Sequence, residues 1–191
     1  MKIGIYSGSY NPIHSGHAML ASYILRNSDL DELWLVVTPQ NPLKQDVEMA
    51  TNEHRLAMAK LVAGEIDGLY ASDFEFSLPQ PSYTYTTLCK LKERFPMHQF
   101  VLIVGSDNWL IFNKWRDNEK IISEYVLFIY PRPGFEIESE ILPDNVEFLS
   151  AAPQIDVSST DVRRMLQEGI DVSKHLPIRV YDYIKKENLY R

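Results

Sequence analysis

The chain has 191 residues, about one domain's worth of sequence, and 19 Lys and Arg against 26 Asp and Glu leave a net charge of −7 at pH 7. That sign excludes a broad electrostatic grip on nucleic acid or on an anionic membrane, and 45% hydrophobic with 24% charged residues excludes wholesale disorder. The single cysteine, Cys89, can form neither an intrachain disulfide nor a thiolate zinc cluster, which fits a reducing compartment and makes the cytoplasm the default.

In chain order, the predicted elements alternate. KIGIY (2–6), LWLVV (33–37), FVLIV (100–104) and VLFIY (126–130) are short apolar runs that read as strands covered on both faces. Each is far below the roughly 20 residues that span a bilayer, and MKIGIYSGSYNPIH has no signal-type apolar core. Helical spacing follows the first strand (Met19, Leu20, Tyr23, Ile24), follows the second (Leu56, Ala57, Lys60, Leu61) and precedes the third (Leu88, Leu91, Phe95). TPQNPLKQDVEMAT (38–51) and LPQPS (78–82) read as loops, 131–143 as a surface excursion, and VEFL (146–149) as a weak strand. Two helices close the chain, Thr160 to Glu168 before Gly169, and Pro177 to Glu187 with the proline in a first-turn position. Such alternation predicts one α/β domain over 1–191, with a doubly wound parallel sheet, C-terminal helices and ligands at the carboxyl ends of the strands.

Four segments fall at those ends. SGSYNPIHSGH (7–17) offers small residues Ser7, Gly8 and Ser9 for close backbone approach, and a helix start whose free N–H groups suit phosphate. His14 and His17, three apart, can face one ligand and donate or carry charge near neutral pH; equally, one caps the turn while the other packs in the core, and a zinc site would need a further ligand that the sequence does not space around them. Lys44 in NPLK is a solvated charge or an ammonium presented at the same strand ends. VSSTDVRR (157–164) fits a capping box, Ser158 with Asp161, and the same geometry with Arg163 makes an anion cradle. In GSD (105–107), Asp107 is a helix cap or an acceptor for ribose hydroxyls, and Trp109 and Trp115 are core residues or stacking platforms.

GSYNPIHSGH together with VSSTDVR resembles the paired signatures of the adenylyltransferase branch of the HxGH nucleotidyltransferases. With NPLK, SYTYTTL (82–88), GSD, KW (114–115) and the closing LPIRVYDYIKKENLY, the resemblance runs nearly end to end to the bacterial nicotinate-nucleotide adenylyltransferases. Ser7, Tyr10, Asn11 and Leu43 stand where that family more often has Gly, Phe, Asp and His. The resemblance implies a Rossmann-like fold and the reaction of ATP with nicotinate mononucleotide to give nicotinate adenine dinucleotide and pyrophosphate. It implies His14, His17, Lys44 and Arg163 as catalytic residues, with Gly8, Ser9, Gly105, Asp107 and Ser158 completing the ATP site. The nicotinate mononucleotide site falls on Tyr83, Thr84, Tyr85, Thr86 and Trp115, with Trp115 stacked on the ring and backbone N–H groups of 83–86 on the carboxylate. Magnesium is expected to arrive on the triphosphate, with no dedicated protein metal site. A helix start at 82–84 would favour an acid over an amide by about 0.3–1 kcal/mol. Alternatives are pantetheine-phosphate adenylyltransferase, disfavoured by KW and SYTYTTL, and a nucleotide-binding sensor without turnover.

Overall fold

The computed structural model describes residues 1–39, 49–138 and 141–191. Its centre is a six-stranded sheet of β1 (Lys2–Gly8), β2 (Glu32–Val37), β3 (Leu69–Ser72), β4 (Gln99–Gly105), β5 (Val126–Tyr130) and β6 (Val146–Phe148), ordered β3-β2-β1-β4-β5-β6 with every pair parallel. The helices are α1 (Ser15–Asn27), α2 (Asn52–Ala63), α3 (Thr84–Arg94), the single turn α4 (Ser106–Trp109), α5 (Asn118–Glu124), α6 (Ser159–Gln167) and α7 (Ile178–Glu187).

The apolar runs are strands because both faces are buried. In β4, Val101 and Ile103 join a core with Leu20 and Ile24 of α1, Met58 and Val62 of α2, and Val180 and Ile184 of α7. Phe100, Leu102 and Val104 point the other way, into a core with Leu88 and Leu91 of α3 and Ile121 of α5. The result is the Rossmann-like doubly wound sheet. Its strand order reverses between β1 and β4, which opens a crevice at their carboxyl ends.

The structure corrects several details of the sequence reading. The edge strand β3 had no apolar run to announce it: Leu69 is buried but Tyr70 is 51% exposed. β1 runs on to Gly8, where Ser7 and Gly8 pair with Val36 and Val37. The buried face of α2 is Arg55, Met58, Ala59 and Val62, because a charged residue, Arg55, lies inside it; Met19 of α1 is exposed. Pro177 is the N-cap of α7, one residue before the first turn, and α6 starts at Ser159.

Candidate functional site

The loop leaving β1 is shaped by its aromatic residue. Tyr10 takes a positive φ of 47° and folds back so that its hydroxyl donates to the Tyr6 carbonyl at 2.5 Å. A Cβ on Gly8 would meet that ring at 3.0 Å, so any larger residue there would press on Tyr10. Asn11 Oδ1 then accepts the Ala50 N–H (3.1 Å) and the Tyr190 hydroxyl (2.7 Å), which fastens the loop to the far end of the chain.

His14 is the N-cap of α1 and is buried; His17 is half-buried, its Nδ1 accepting the His14 N–H at 3.2 Å, so a neutral His17 carries its proton on Nε2. The two rings lie 3.8 Å apart at 37°. Gly16 separates them because a Cβ there would stand 2.3 Å from Ile155 Cγ2 and 3.1 Å from the His14 ring. Burial, then the Arg132 and His175 charges, lowers the His14 pKa to about 4; burial, then His14 and Arg132, pushes His17 well below its ordinary value. Of the two expected roles, donating a hydrogen bond or carrying charge, this environment favours the first, because it disfavours the protonated form of both rings.

α6 docks onto this loop. Ser158 and Asp161 form the reciprocal cap, with the Asp161 N–H donating to Ser158 Oγ and the Ser158 N–H to Asp161 Oδ2, each at 3.1 Å. Ser159 Oγ donates to the Pro12 carbonyl at 2.9 Å and Arg163 Nη1 to the Asn11 carbonyl at 2.7 Å. Between the elements lies a cleft of about 480 Å³ lined by Gly8, Ser9, Asn11, Thr38, Asn108, Ser159, Thr160 and Arg163. Its described lining offers hydroxyls, amides and a guanidinium with no carboxylate, a donor set suited to a polyanion.

Of the expected ATP-site residues, Gly8, Ser9 and Arg163 line that cleft, while His14, His17, Gly105, Asp107 and Ser158 do not. Ser158 spends its hydroxyl on the cap, also donating to Asp161 Oδ2 at 2.6 Å. Gly105 is the N-cap of α4, which leaves Asp107 in the first turn rather than at the cap; its Oδ1 is buried without a hydrogen-bond partner, 3.7 Å from Arg132 Nε. Lys44 lies outside the described residues.

A second cleft, of about 230 Å³, joins Ser82, Tyr83 and Thr84 at the start of α3 to Lys114, Trp115 and Arg116, all on loops leaving the carboxyl ends of β3 and β4. Tyr83 is the N-cap of α3, and the Arg116 guanidinium sits 4.7 Å from its ring. Trp115 packs against Phe112, centroids 5.0 Å apart, as does Trp109 at 5.3 Å. Tyr85 and Thr86 do not line this cleft; the Tyr85 hydroxyl donates to Glu124 of α5 at 2.9 Å, and Thr86 is exposed. Glu75, buried, accepts from Ser82 Oγ (3.2 Å) and Thr87 Oγ1 (2.8 Å) and so pins the loop to the helix.

The residue that sequence reasoning missed is Arg55. Fully buried, it donates through Nη1 to the carbonyls of Ser9 (2.5 Å) and Thr38 (2.6 Å) and through Nε to that of Ala50 (3.1 Å). It thereby holds the β1 loop against both stems of the segment that carries Lys44. No local pattern marks it, because two of its partners, the Ser9 and Thr38 carbonyls, lie 46 and 17 residues away.

The Cytidylyltransferase-like family model matches residues 5–165. A probable nicotinate-nucleotide adenylyltransferase of Bacteroides thetaiotaomicron is 45% identical over 186 residues, 97% of this chain and 92% of that one. One of the same description from Flavobacterium johnsoniae is 42% identical over the whole of both chains. The structure of Plasmodium falciparum nicotinic acid mononucleotide adenylyltransferase complexed with NaAD superposes with a TM-score of 0.83 at 26% identity, covering 99% of this chain and 97% of that one. With its two signatures folded against one cleft and these relatives along its whole length, the chain belongs to the nicotinate-nucleotide adenylyltransferases of the cytidylyltransferase-like family.

Proposed function

We propose that the protein transfers the adenylyl group of ATP to nicotinate mononucleotide, giving nicotinate adenine dinucleotide and pyrophosphate, a cytoplasmic step of NAD synthesis. The observation that carries this reading is the docking of α6 on the β1–α1 loop through Arg163 and Ser159, which gathers both ends of the sequence around a cleft whose described lining carries no carboxylate. The mononucleotide's phosphate oxygen, already anionic, attacks the α-phosphorus; the new P–O bond forms as the bond to pyrophosphate breaks, and its electron pair leaves with that product. No general base is needed, so catalysis rests on holding two anions in line and stabilising charge on the leaving group. Gly8, Ser9 and Arg163 hold the triphosphate, joined by His17 through its Nε2–H and by His14 and Lys44, with Ser158 acting as the cap that orients the start of α6 toward it; Gly105 and Asp107 hold the adenosine ribose.

Magnesium is expected to arrive with the triphosphate, held by phosphate oxygens and water. When bound it supplies neutralisation of phosphate charge.

The second cleft takes the pyridine nucleotide, with Trp115 against the ring and the first-turn N–H groups of α3, from Thr84 to Thr86, toward the carboxylate. Lys114 and Arg116 on its rim add to the preference for an acid over an amide. The test is pyrophosphate release from Mg-ATP offered nicotinate mononucleotide, its amide or phosphopantetheine. Turnover of the first with the dinucleotide as product is expected; no turnover of it, or equal turnover of the amide, overturns the reading.

A further inference from the structure

Beyond the carboxyl end of β5, the backbone N–H of Arg132 donates at 2.9 Å to the buried Ser106 hydroxyl, tying the strand end to the first turn of α4. The neighbouring strand end is cleared for its side chain: a Cβ on Gly105 would lie 3.1 Å from Arg132 Cγ and 2.3 Å from Asp107 Oδ1. Arg132 Nε comes within 3.7 Å of Asp107 Oδ1, an ion pair too long to be a hydrogen bond. Among the described residues its guanidinium makes no hydrogen bond, although only 28% of the side chain is exposed. Arg55 supplies the internal contrast, a structural arginine that places four N–H groups on three carbonyls and Asn52 Oδ1. A half-buried guanidinium with idle donors is poised for a ligand with oxygens to match. It also sits close enough to His14 and His17 for its charge to reach both rings.

We propose that Arg132 is a further catalytic residue, whose guanidinium takes two oxygens of a nucleotide phosphate beside His14 and His17 while its Nε side stays against Asp107. One side chain then links the carboxylate that receives ribose hydroxyls to the phosphate that follows in the same nucleotide or meets it in the reaction. The inference rests on the proposed adenylyl transfer; a phosphate oxygen is the shared chemistry, and ATP or the mononucleotide is its source.

The experiment uses the full-length protein, Arg132→Gln and Arg132→Lys, with both substrates varied and ATP binding measured calorimetrically in the absence of the mononucleotide. Arg132→Gln is expected to lower kcat/KM at least 100-fold with an unchanged thermal midpoint, and Arg132→Lys to restore less than a tenth of the loss, since an ammonium is a point charge. A rise confined to KM for ATP, with weaker ATP binding, assigns the triphosphate; a rise confined to KM for the mononucleotide assigns the monoester. If wild type forms the dinucleotide and Arg132→Gln stays within threefold, the inference is overturned and the function stands. If wild type forms none while Arg132→Gln binds ATP tenfold more weakly, the function falls and the phosphate contact stands. Should Arg132→Gln fail to fold, a folded Arg132→Lys within threefold of wild type overturns the inference, and one well below it supports it.

Discussion

Arg163 Nη1 donates to the carbonyl oxygen of Asn11 at 2.7 Å across 152 residues of sequence. One end of this guanidinium is thus spent on orienting the cleft, and the other is free to turn toward phosphate, its Nη2 making only a 3.3 Å contact with Thr160 Oγ1. Arg163→Lys keeps the charge but cannot serve both partners. We expect kcat/KM to fall about 30-fold, roughly 2 kcal/mol, with the far-UV circular dichroism unchanged; steady-state kinetics with ATP varied checks this.

Arg55 is a buried cation whose hydrogen bonds among the described residues all go to neutral oxygens. Arg55→Met leaves the Ser9, Thr38 and Ala50 carbonyls unsatisfied and is expected to cost on the order of 3 kcal/mol of stability. Urea unfolding gives the loss as a lower midpoint. The loops it gathers border the ATP cleft, so KM for ATP should rise more than KM for the mononucleotide.

The His14 pKa of about 4 carries a pH consequence with a definite sign. Above about pH 6.5 the ring is neutral in both folded and unfolded chains and stability is unaffected. As pH falls toward 4 the unfolded chain takes up a proton that the folded one refuses, so stability drops, by about 3 kcal/mol at pH 4. The burial that excludes the proton is assisted by Arg132 and His175 and opposed by Asp161, while His17 acts with the same sign and Glu75, its carboxyl pKa raised by burial, with the opposite one. Urea midpoints at pH 7 and 5 for wild type and His14→Asn isolate its share: the variant should lose less. Triphosphate binding should raise both imidazole pKa values, so ATP binding near pH 6 should take up protons, read as a buffer-dependent enthalpy.

Trp115 and Arg116 belong to the second cleft. Trp115→Ala should raise KM for nicotinate mononucleotide about tenfold, near 1.4 kcal/mol of stacking and cation–π contact, with KM for ATP unchanged. Arg116→Gln should narrow the ratio of kcat/KM for the acid over the amide about threefold. Competition between the two nucleotides measures it, and an unchanged ratio removes Arg116 from discrimination.

Much of this was legible in the order of residues alone. Runs such as FVLIV and VLFIY are strands because a two-sided core accepts nothing else, and the signatures around His14, His17 and Ser158 are local because caps and phosphate loops are built from neighbours in sequence. What the sequence could not decide is whatever depends on strand order. β3 is an edge, so no apolar run marked it; Arg55 went unread because two of the carbonyls that hold it, those of Ser9 and Thr38, lie far away in sequence; the His14 and His17 rings resist protonation only once the chain has packed around them. Arg132 meets Asp107 for the same reason: β5 pairs with β4, and the strand ends carry the two side chains within 3.7 Å of one another. Hydrophobic period and capping chemistry are short-range and survive in one dimension, whereas desolvation and Coulomb interaction depend on distances that exist only in the folded chain.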